Sequence, residues 1–491
     1  MAHVFKLRTL AACVMLVCSP CAWPTTPDAL ENDRLQAYRT FRSEFDNRNY
    51  DKALPAAQKV VELTEKEFGN KHPDLVNALS NLGTTQLRLG EYDNAEVSYQ
   101  RAMRLAESFD GGFSHALIQP LLGLGITHQA AGDHQKAESV LRRAIELSRK
   151  LDGLYNPAQL PLSLALIDSQ IALYELPDAE REQNYVLQVN EQQLGKDDLR
   201  LLPALDRKAR WYEMTGRYRS ALELHQRALD LIYEQAGKSD LRAVGPLRGI
   251  GRAYMLEFVH GAQILDRVGA PERPLRLVGD TYTAPPTFPG GGGAAVTRPR
   301  PRGEQALLEA LKLLNDRTEA PNAALKAATL VDLGDYYVVG DQFDKALPRY
   351  REAWRQMTAA GISPVAFSEP VRLMFRAPAD SWGRRPEAAD VTPASEHFVE
   401  LEYTVTADGQ AENVRTVSSD VIGATERSVA AVMREARFRP RFVDGEPVST
   451  KGLRVRQLVY ARDPSEYRSP TATDSPPPKQ TRLRVLPPPD A

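Results

Sequence analysis

The chain has 491 residues, and its 62 Lys and Arg nearly balance 64 Asp and Glu, for a net charge of −2. That balance excludes a basic nucleic-acid binder and an acidic tail protein, and the length suggests about three domains. No apolar run reaches the roughly 18 to 20 residues of a membrane-spanning helix. Two further counts matter: 35 Pro, and three Cys that all lie near the start, at Cys13, Cys18 and Cys21.

Residues 1–22 read as a secretory signal peptide. His3, Lys6 and Arg8 form a basic start, Leu10 to Cys18 is a short apolar run, and Pro20 precedes small residues, with cleavage expected near residues 19–26. The exported chain would then carry one Cys at most and be held by packing rather than disulfides.

Residues 30–270 carry an internal period of 42. Gly69, Gly111, Gly153, Gly195 and Gly237 form one column, and Ala53, Ala95, Ala137, Ala179 and Ala221 a second. Val60, Ala102, Ala144, Val186 and Ala228 form a third, and Gly90, Gly132 and Gly216 a fourth that lapses at Tyr174. Such columns predict an array of helix pairs. Gly83 and Ala95 let paired helices approach, Gly90 lets the chain reverse, and the Gly69 column is expected to cap second helices in the left-handed conformation. Pro73 and Pro157 open the helices that follow. These residues resemble the 42-residue variety of tetratricopeptide repeat, with Phe41 and Ile167 departing where a small residue is expected. The resemblance implies a helical solenoid whose inner face, lined by first helices, binds an extended peptide or a partner helix. Asn77, Thr84, Arg88, Gln129, Asp206 and Arg210 are the polar first-helix positions expected to reach it.

A sixth unit around Ile250, Gly251 and Tyr254 looks degenerate, and residues 271–303, with seven Pro and the run Gly290–Gly293, read as a flexible insert. No Gly-Lys-Ser/Thr follows that run, so it is not a phosphate loop. Residues 304–360 read as a final repeat unit, through Gly334, Tyr336, Gly340, Ala346 and Trp354, and 361–393 as a Pro-rich connector.

Residues 394–462 then change character. Phe398 to Val405 alternates, Asp408-Gly409 marks a hairpin, Gly423 to Glu435 is helical, and Leu453 to Tyr460 is a last strand, giving the order β-β-α-β. Val405, Asp408-Gly409, Val414, Arg437-Phe438-Arg439-Pro440 and Asp444-Gly445-Glu446-Pro447-Val448 resemble the C-terminal domain of the TonB family of energy transducers, with Ala436 where that family usually has Trp. The fold class expected is therefore mainly α, a tetratricopeptide helical solenoid followed by a small α+β (β-β-α-β) TonB-like domain. The resemblance implies that a receptor peptide adds as a strand along the edge formed by Lys451, Leu453, Arg454, Val455, Arg456, Gln457 and Leu458. Seven basic residues against two acidic ones between Arg437 and Arg462 would steer an acidic peptide there. Residues 463–491 read as a disordered Pro-rich tail.

The eight His form no metal motif, no Cys remains beside them, and no nucleophile elbow or nucleotide fingerprint occurs. Asp and Glu look like solvated helix faces. No enzyme, cofactor, metal, nucleic acid or small-molecule substrate is expected. The expectation is an exported periplasmic interaction scaffold with protein partners, among them an outer-membrane TonB-dependent receptor. The alternative is a membrane-associated energy transducer in which residues 4–18 are kept as an anchor, and a third reading has the C-terminal domain docking on the protein's own repeats.

Overall fold

The computed structural model describes residues 27–260, 277–278, 281–282, 299, 301–315, 320–375 and 397–459. The expected signal peptide and tail, with most of the insert and connector, lie outside the described residues. The chain divides into two units, Met1–Leu154 with Pro161–Ser169, and Tyr155–Leu160 with Gln170–Ala491.

The first unit holds α1 (Pro27–Asp46), α2 (Tyr50–Phe68), α3 (Pro73–Arg88), α4 (Tyr92–Asp110), α5 (Ile118–Ala130), α6 (His134–Asp152) and most of α7 (Leu160–Ala172). Its main apolar cluster runs from Ala37 through Leu79, Leu121 and Leu141 to Leu166, with smaller clusters around Phe41 and Tyr99. The second unit continues with α8 (Leu176–Leu194), α9 (Leu202–Met214), α10 (Tyr218–Ala236), α11 (Val244–His260), α12 (Pro301–Asn315), α13 (Ala320–Val339) and α14 (Phe343–Ala359). Helices α2, α4, α6, α8 and α10 are each 19 residues long. They start at Tyr50, Tyr92, His134, Leu176 and Tyr218, in step with the glycine and alanine columns, so the sequence period is the physical repeat.

Each of these five helices stops at a glycine of the first column, at φ between 68° and 88°. The expected left-handed helical cap is replaced by an extended one: ψ is 178° at Gly69 and 163° at Gly195. This corner of backbone space is essentially closed to residues with a Cβ, whereas the left-handed helical region admits Asn. A further column then starts the next turn. His72, Ser114, Asn156, Asp198 and Asp240 each accept a backbone N–H from just downstream, satisfying a donor the first helical turn leaves free.

Packing within a pair repeats one contact between a glycine of the first helix and a large side chain of the second. A Cβ on Gly83 would lie 3.0 Å from Tyr99, one on Gly125 would lie 2.7 Å from Leu141, and one on Gly334 would lie 2.3 Å from Tyr350. Phe41 inverts the sizes: it clusters with Ala57 of α2, so a large residue meets a small one from the other side. In the sixth pair the same contact joins Gly251 to Leu307, whose side chain a glycine Cβ would meet at 2.5 Å, although the whole extra stretch lies between them in sequence. Helix α12 is therefore the second helix of the α11 unit, and the extra stretch separates two helices of one pair rather than two repeats. Within it, β1 (Leu277–Val278) and β2 (Thr281–Tyr282) form a short antiparallel ladder.

The C-terminal module has more strands than the four-element order read from the sequence. Strands β4 (His397–Val405), β5 (Ala411–Ser419) and β9 (Thr450–Val459) form an antiparallel sheet in the order β5-β4-β9, with α15 (Ala424–Arg434) packed against its core. Ala436 is buried in that core. Three short strands, β6 (Arg437–Arg439), β7 (Arg441–Val443) and β8 (Glu446–Val448), come before β9. Residues read as connector form β3 (Val371–Met374), which pairs antiparallel with β6. The hairpin of β7 and β8 turns at Asp444 and Gly445, both at positive φ, as a two-residue hairpin requires.

This module is seated on α13 and α14. The Arg439 guanidinium lies 3.4 Å from Asp335 Oδ2, and the Tyr350 hydroxyl donates to Asp335 Oδ1 at 2.7 Å. Burial pushes the Asp335 carboxyl up to about 6, opposed by Arg439 and the Tyr350 bond and reinforced by Asp332. The notion that acids only solvate helix faces fails here: Asp335 is buried, as are Glu180 and Glu213.

Two measurements test these constraints. No heavy atom lies within 4 Å of a Cβ on Gly69, so Gly69→Ala adds backbone strain alone and should lower the unfolding free energy by about 1–3 kcal/mol in a denaturant titration. Asp335 has a folded pKa above its unfolded value near 3.8, so its stabilising contribution is complete below that value and is lost as pH rises through about 6. A shift of that size corresponds to about 3 kcal/mol. In paired unfolding titrations from pH 4 to 7.5, the stability of wild type relative to Asp335→Asn should fall with rising pH, and a flat difference would refute the assignment.

Candidate functional site

Two surfaces have unused recognition groups. The first is a groove of about 950 Å³ in the first unit, walled by α1, α3 and α5. Asn77, Asn81, Thr84 and Arg88 stand at intervals of four, three and four along α3, so one helix face aims all four into it. Leu35 and Tyr38 of α1 and Ile126 of α5 are exposed apolar side chains on its flanks, and Gln119 adds an amide from α5. Among the described residues the side chains of Asn77, Asn81, Arg88 and Gln119 have no hydrogen-bond or ion-pair partner. Thr84 is different. Its hydroxyl donates to the Ser80 carbonyl at 2.8 Å, so the Tyr99 hydroxyl, 2.8 Å away, is the donor to Thr84. Burial raises the Tyr99 pKa, against the nearby Arg88 cation. Arg34 is tied to Glu67 at 2.6 Å, whereas the Arg88 cation of the groove is not tied to a carboxylate among the described residues.

The groove can meet an extended chain in two ways. Side-chain amides at one-turn spacing match the donors and acceptors of a peptide backbone, while Leu35, Tyr38 and Ile126 cover its apolar side chains. Asn77, Thr84 and Arg88 are thus brought together, and Asn81 and Gln119 join them. Asn81 was signalled by its place one turn from Asn77, and Gln119 by occupying the place of Asn77 one repeat later.

The other expected residues have duties inside the protein. The Gln129 amide donates to the Ala165 carbonyl at 2.5 Å and to Ser169 Oγ at 2.8 Å. Arg210 pairs with Asp206 at 2.8 Å on an exposed face of α9.

The second surface is the outer edge of β9. Among the described residues β9 pairs with β4 alone. Tyr403 faces Leu453 and Val405 faces Thr450, so Lys451 and Gly452 together oppose Thr404 in a bulge, with Gly452 at φ 70°. Lys451 therefore sits where the edge is twisted rather than along it. From Leu453 to Val459 the pairing with His397–Tyr403 is unbroken, which leaves that whole stretch as regular edge on the far side. Leu453 and Val455 pack toward the sheet core and Gln457 is buried, while Arg454 and Arg456 face out. Leu458 lies within this stretch of β9.

Three of the seven basic residues counted near this edge are paired with acids, and Arg462 lies outside the described residues. Arg454 makes two bonds to Glu402 at 3.0 and 3.1 Å, Arg437 binds Asp341 at 3.1 Å, and Arg439 is buried against Asp335. The Arg456 guanidinium lies 3.6 Å from the centre of the Phe398 ring. Lys451 and Arg441 remain exposed. What this edge offers is therefore backbone N–H and C=O groups more than free charge.

Buried charges elsewhere form closed clusters. Glu180 accepts from Lys208 at 2.8 Å, from Arg217 at 2.5 Å and from the Trp211 indole. Burial pushes its pKa up, but the Arg217 and Lys208 bonds outweigh this and the net shift is downward. Glu213 binds the buried His225 at 3.0 Å and Arg252 at 2.6 Å. Each carboxylate is matched by basic side chains, as a buried acid in a core requires. Among the described residues no group of His, Cys, Asp or Glu has a metal-binding arrangement, and no helix is long and apolar enough to cross a membrane.

No curated protein matches the chain. Among solved structures, repeats of a putative kinesin light chain from Podospora anserina align at 16% identity over 38% of this chain and 89% of that one, with a TM-score of 0.35. A tetratricopeptide repeat protein from Parabacteroides merdae aligns at 16% identity over 66% of this chain and 93% of that one, with a TM-score of 0.37. A Rap protein in complex with Competence and Sporulation Factor aligns at 13% identity over 68% of this chain and 80% of that one, with a TM-score of 0.34. Residues 42–108 and 86–150 match one tetratricopeptide repeat model and residues 204–239 another, so the helix pairs that build the groove are tetratricopeptide repeats.

Proposed function

We propose that the protein is an exported, periplasmic interaction scaffold with two peptide sites. The groove of the first unit takes an extended segment of a protein partner. The C-terminal module, whose sequence resembles the TonB family, takes a receptor peptide as an added strand along Leu453–Val459. The observation that carries the second half is the regular, unpaired outer edge of β9: backbone N–H and C=O groups in unbroken strand geometry are a template for one more strand. Seating of the module on the repeats uses β3 and β6 to β8, so this docking and strand addition do not compete.

The second reading, an anchored transducer, differs in one observable. Cleavage near residue 21, read from the mass of the mature N-terminus, supports the soluble scaffold, and retention of residues 4–18 in the membrane fraction supports the transducer.

Strand addition is tested on the full chain with synthetic peptides from the periplasmic end of outer-membrane receptors. Binding should slow amide exchange in Leu453–Val459. A peptide N-methylated at alternate amides should bind at least tenfold more weakly, because an added strand is held by its backbone. Binding without exchange protection of β9, or with indifference to N-methylation, would refute it, as would failure of a periplasmic pull-down to recover any receptor.

A further inference from the structure

The segment Arg437–Val448 has two faces, and they belong to different cores. Phe438 is buried in the sheet core, its ring centre 5.6 Å from that of Tyr403, and its N–H donates to the Gly409 carbonyl at 2.8 Å. Gly409 has no room for a side chain, since a Cβ would fall 2.1 Å from the Phe438 carbonyl oxygen. Just beyond, on β7, Phe442 is buried in the core of the last helical pair. Its ring lies 4.8 Å from Phe367, 5.9 Å from Tyr350 and 6.2 Å from Trp354. Between them Arg439 reaches Asp335 beneath the surface, and Pro440 is buried. A Cβ on Gly445 would be 3.2 Å from Trp354, so the β7–β8 turn also fits closely. Ion pairs of Arg437 with Asp341 at 3.1 Å and of Arg351 with Glu446 at 2.5 Å rim the contact. Strand β3, which leaves the helical core just after Phe367, pairs along β6 and closes it from the other side.

We infer that Arg437–Val448 is an internal clamp that makes α13, α14 and the β5-β4-β9 sheet a single cooperative unit, residues 320–375 and 397–459, so that the β9 edge is carried rigidly by the last repeat. The argument is geometric. Neither core is complete without the clamp: removal exposes Phe442 to water on one side and strips Phe438 from the sheet on the other, and Arg439 and Asp335 each lose a buried charge partner. Opening one core therefore opens the second. If a strand is added at β9, the pull on it passes through β6 and β7 into α13 and α14. That last consequence rests on the strand-addition reading, whereas the coupling does not.

Native-state amide exchange on the full chain, with no peptide present, tests the coupling. Val429 is buried in the sheet core on α15 and belongs to no helical-pair cluster. Val429→Ala should speed the slowest amides of β4 and β9 by about tenfold and those of residues 320–359 by the same factor, leaving residues 50–150 unchanged. Where Val429→Ala does not move the sheet itself, Val429→Asp is read in its place. In a Phe442→Ala background the effect should no longer reach residues 320–359. Acceleration confined to the sheet in the single variant, or transmission that persists without Phe442, overturns the inference. Because no peptide is used, this result is independent of whether β9 binds one.

Discussion

Four of the helix pairs depend on one repeated contact: a side chain from the second helix of a pair entering a hollow left by a residue without a side chain. Tyr99 fills the space at Gly83 and, in the following pair, at Gly123, where an added Cβ would lie 2.2 Å from its ring. His225 does the same at Gly249, also at 2.2 Å. One side chain thus fixes both the pairing of two helices and the stacking of one pair on the next. Interiors packed at crystal density tolerate no added methyl at such points. The polar choices, Tyr99 and His225, need partners once buried, and Thr84 and Glu213 supply them. The groove then follows, because first helices held at this spacing leave Asn77, Asn81 and Arg88 on the open face of α3.

Features carried by residue identity were legible in the sequence. The glycine and alanine columns give the period, the pair boundaries and the close approaches, because only one or two residue types fit those positions. The N-cap column was missed for the opposite reason: His, Ser, Asn and Asp all accept a backbone N–H, so the role is constant while the letter changes. Glu180, Glu213 and Asp335 were misread because a buried acid and a solvated one look alike until their partners, far along the chain at Lys208, Arg252 and Arg439, are in place. Strand β3 was hidden by the prolines around it and by a partner, β6, that lies far along the chain. Of the groove residues, Asn77, Thr84 and Arg88 could be read from helical phase, while Gln129 holds the place of Leu87 one repeat later, off that phase, and is spent on the next helix.

Charge at the C-terminal module shows why counting side chains along a sequence misjudges a surface. Of the basic residues between Arg437 and Arg456, one secures the module to α13 from within, one from the rim, and one braces Glu402 across the sheet. Their common task is to hold the module together, and the edge beside them is left with backbone groups in regular strand geometry. A buried pair such as Arg439 and Asp335 adds little net stability over apolar packing, but a misplaced seat leaves both charges unpaired, so it selects one docking geometry over others.

The extra stretch between α11 and α12 follows from the same contact. Lengthening an inter-helix turn from about three residues to about forty costs roughly 2 kcal/mol in loop-closure entropy, since the penalty grows only with the logarithm of length. Burying Leu307, Leu311 and Leu314, each worth about 1.5–3 kcal/mol, exceeds that cost. The pair therefore re-forms because Gly251 still offers the hollow that Leu307 fills, however far the chain travels between them. An insertion of this size inside a helix would shift the phase of every later side chain, and one at the glycine cap would remove the turn that starts the next pair. The tip between two helices of one pair is where the array can accept new sequence without losing its register, and the chain has used it there.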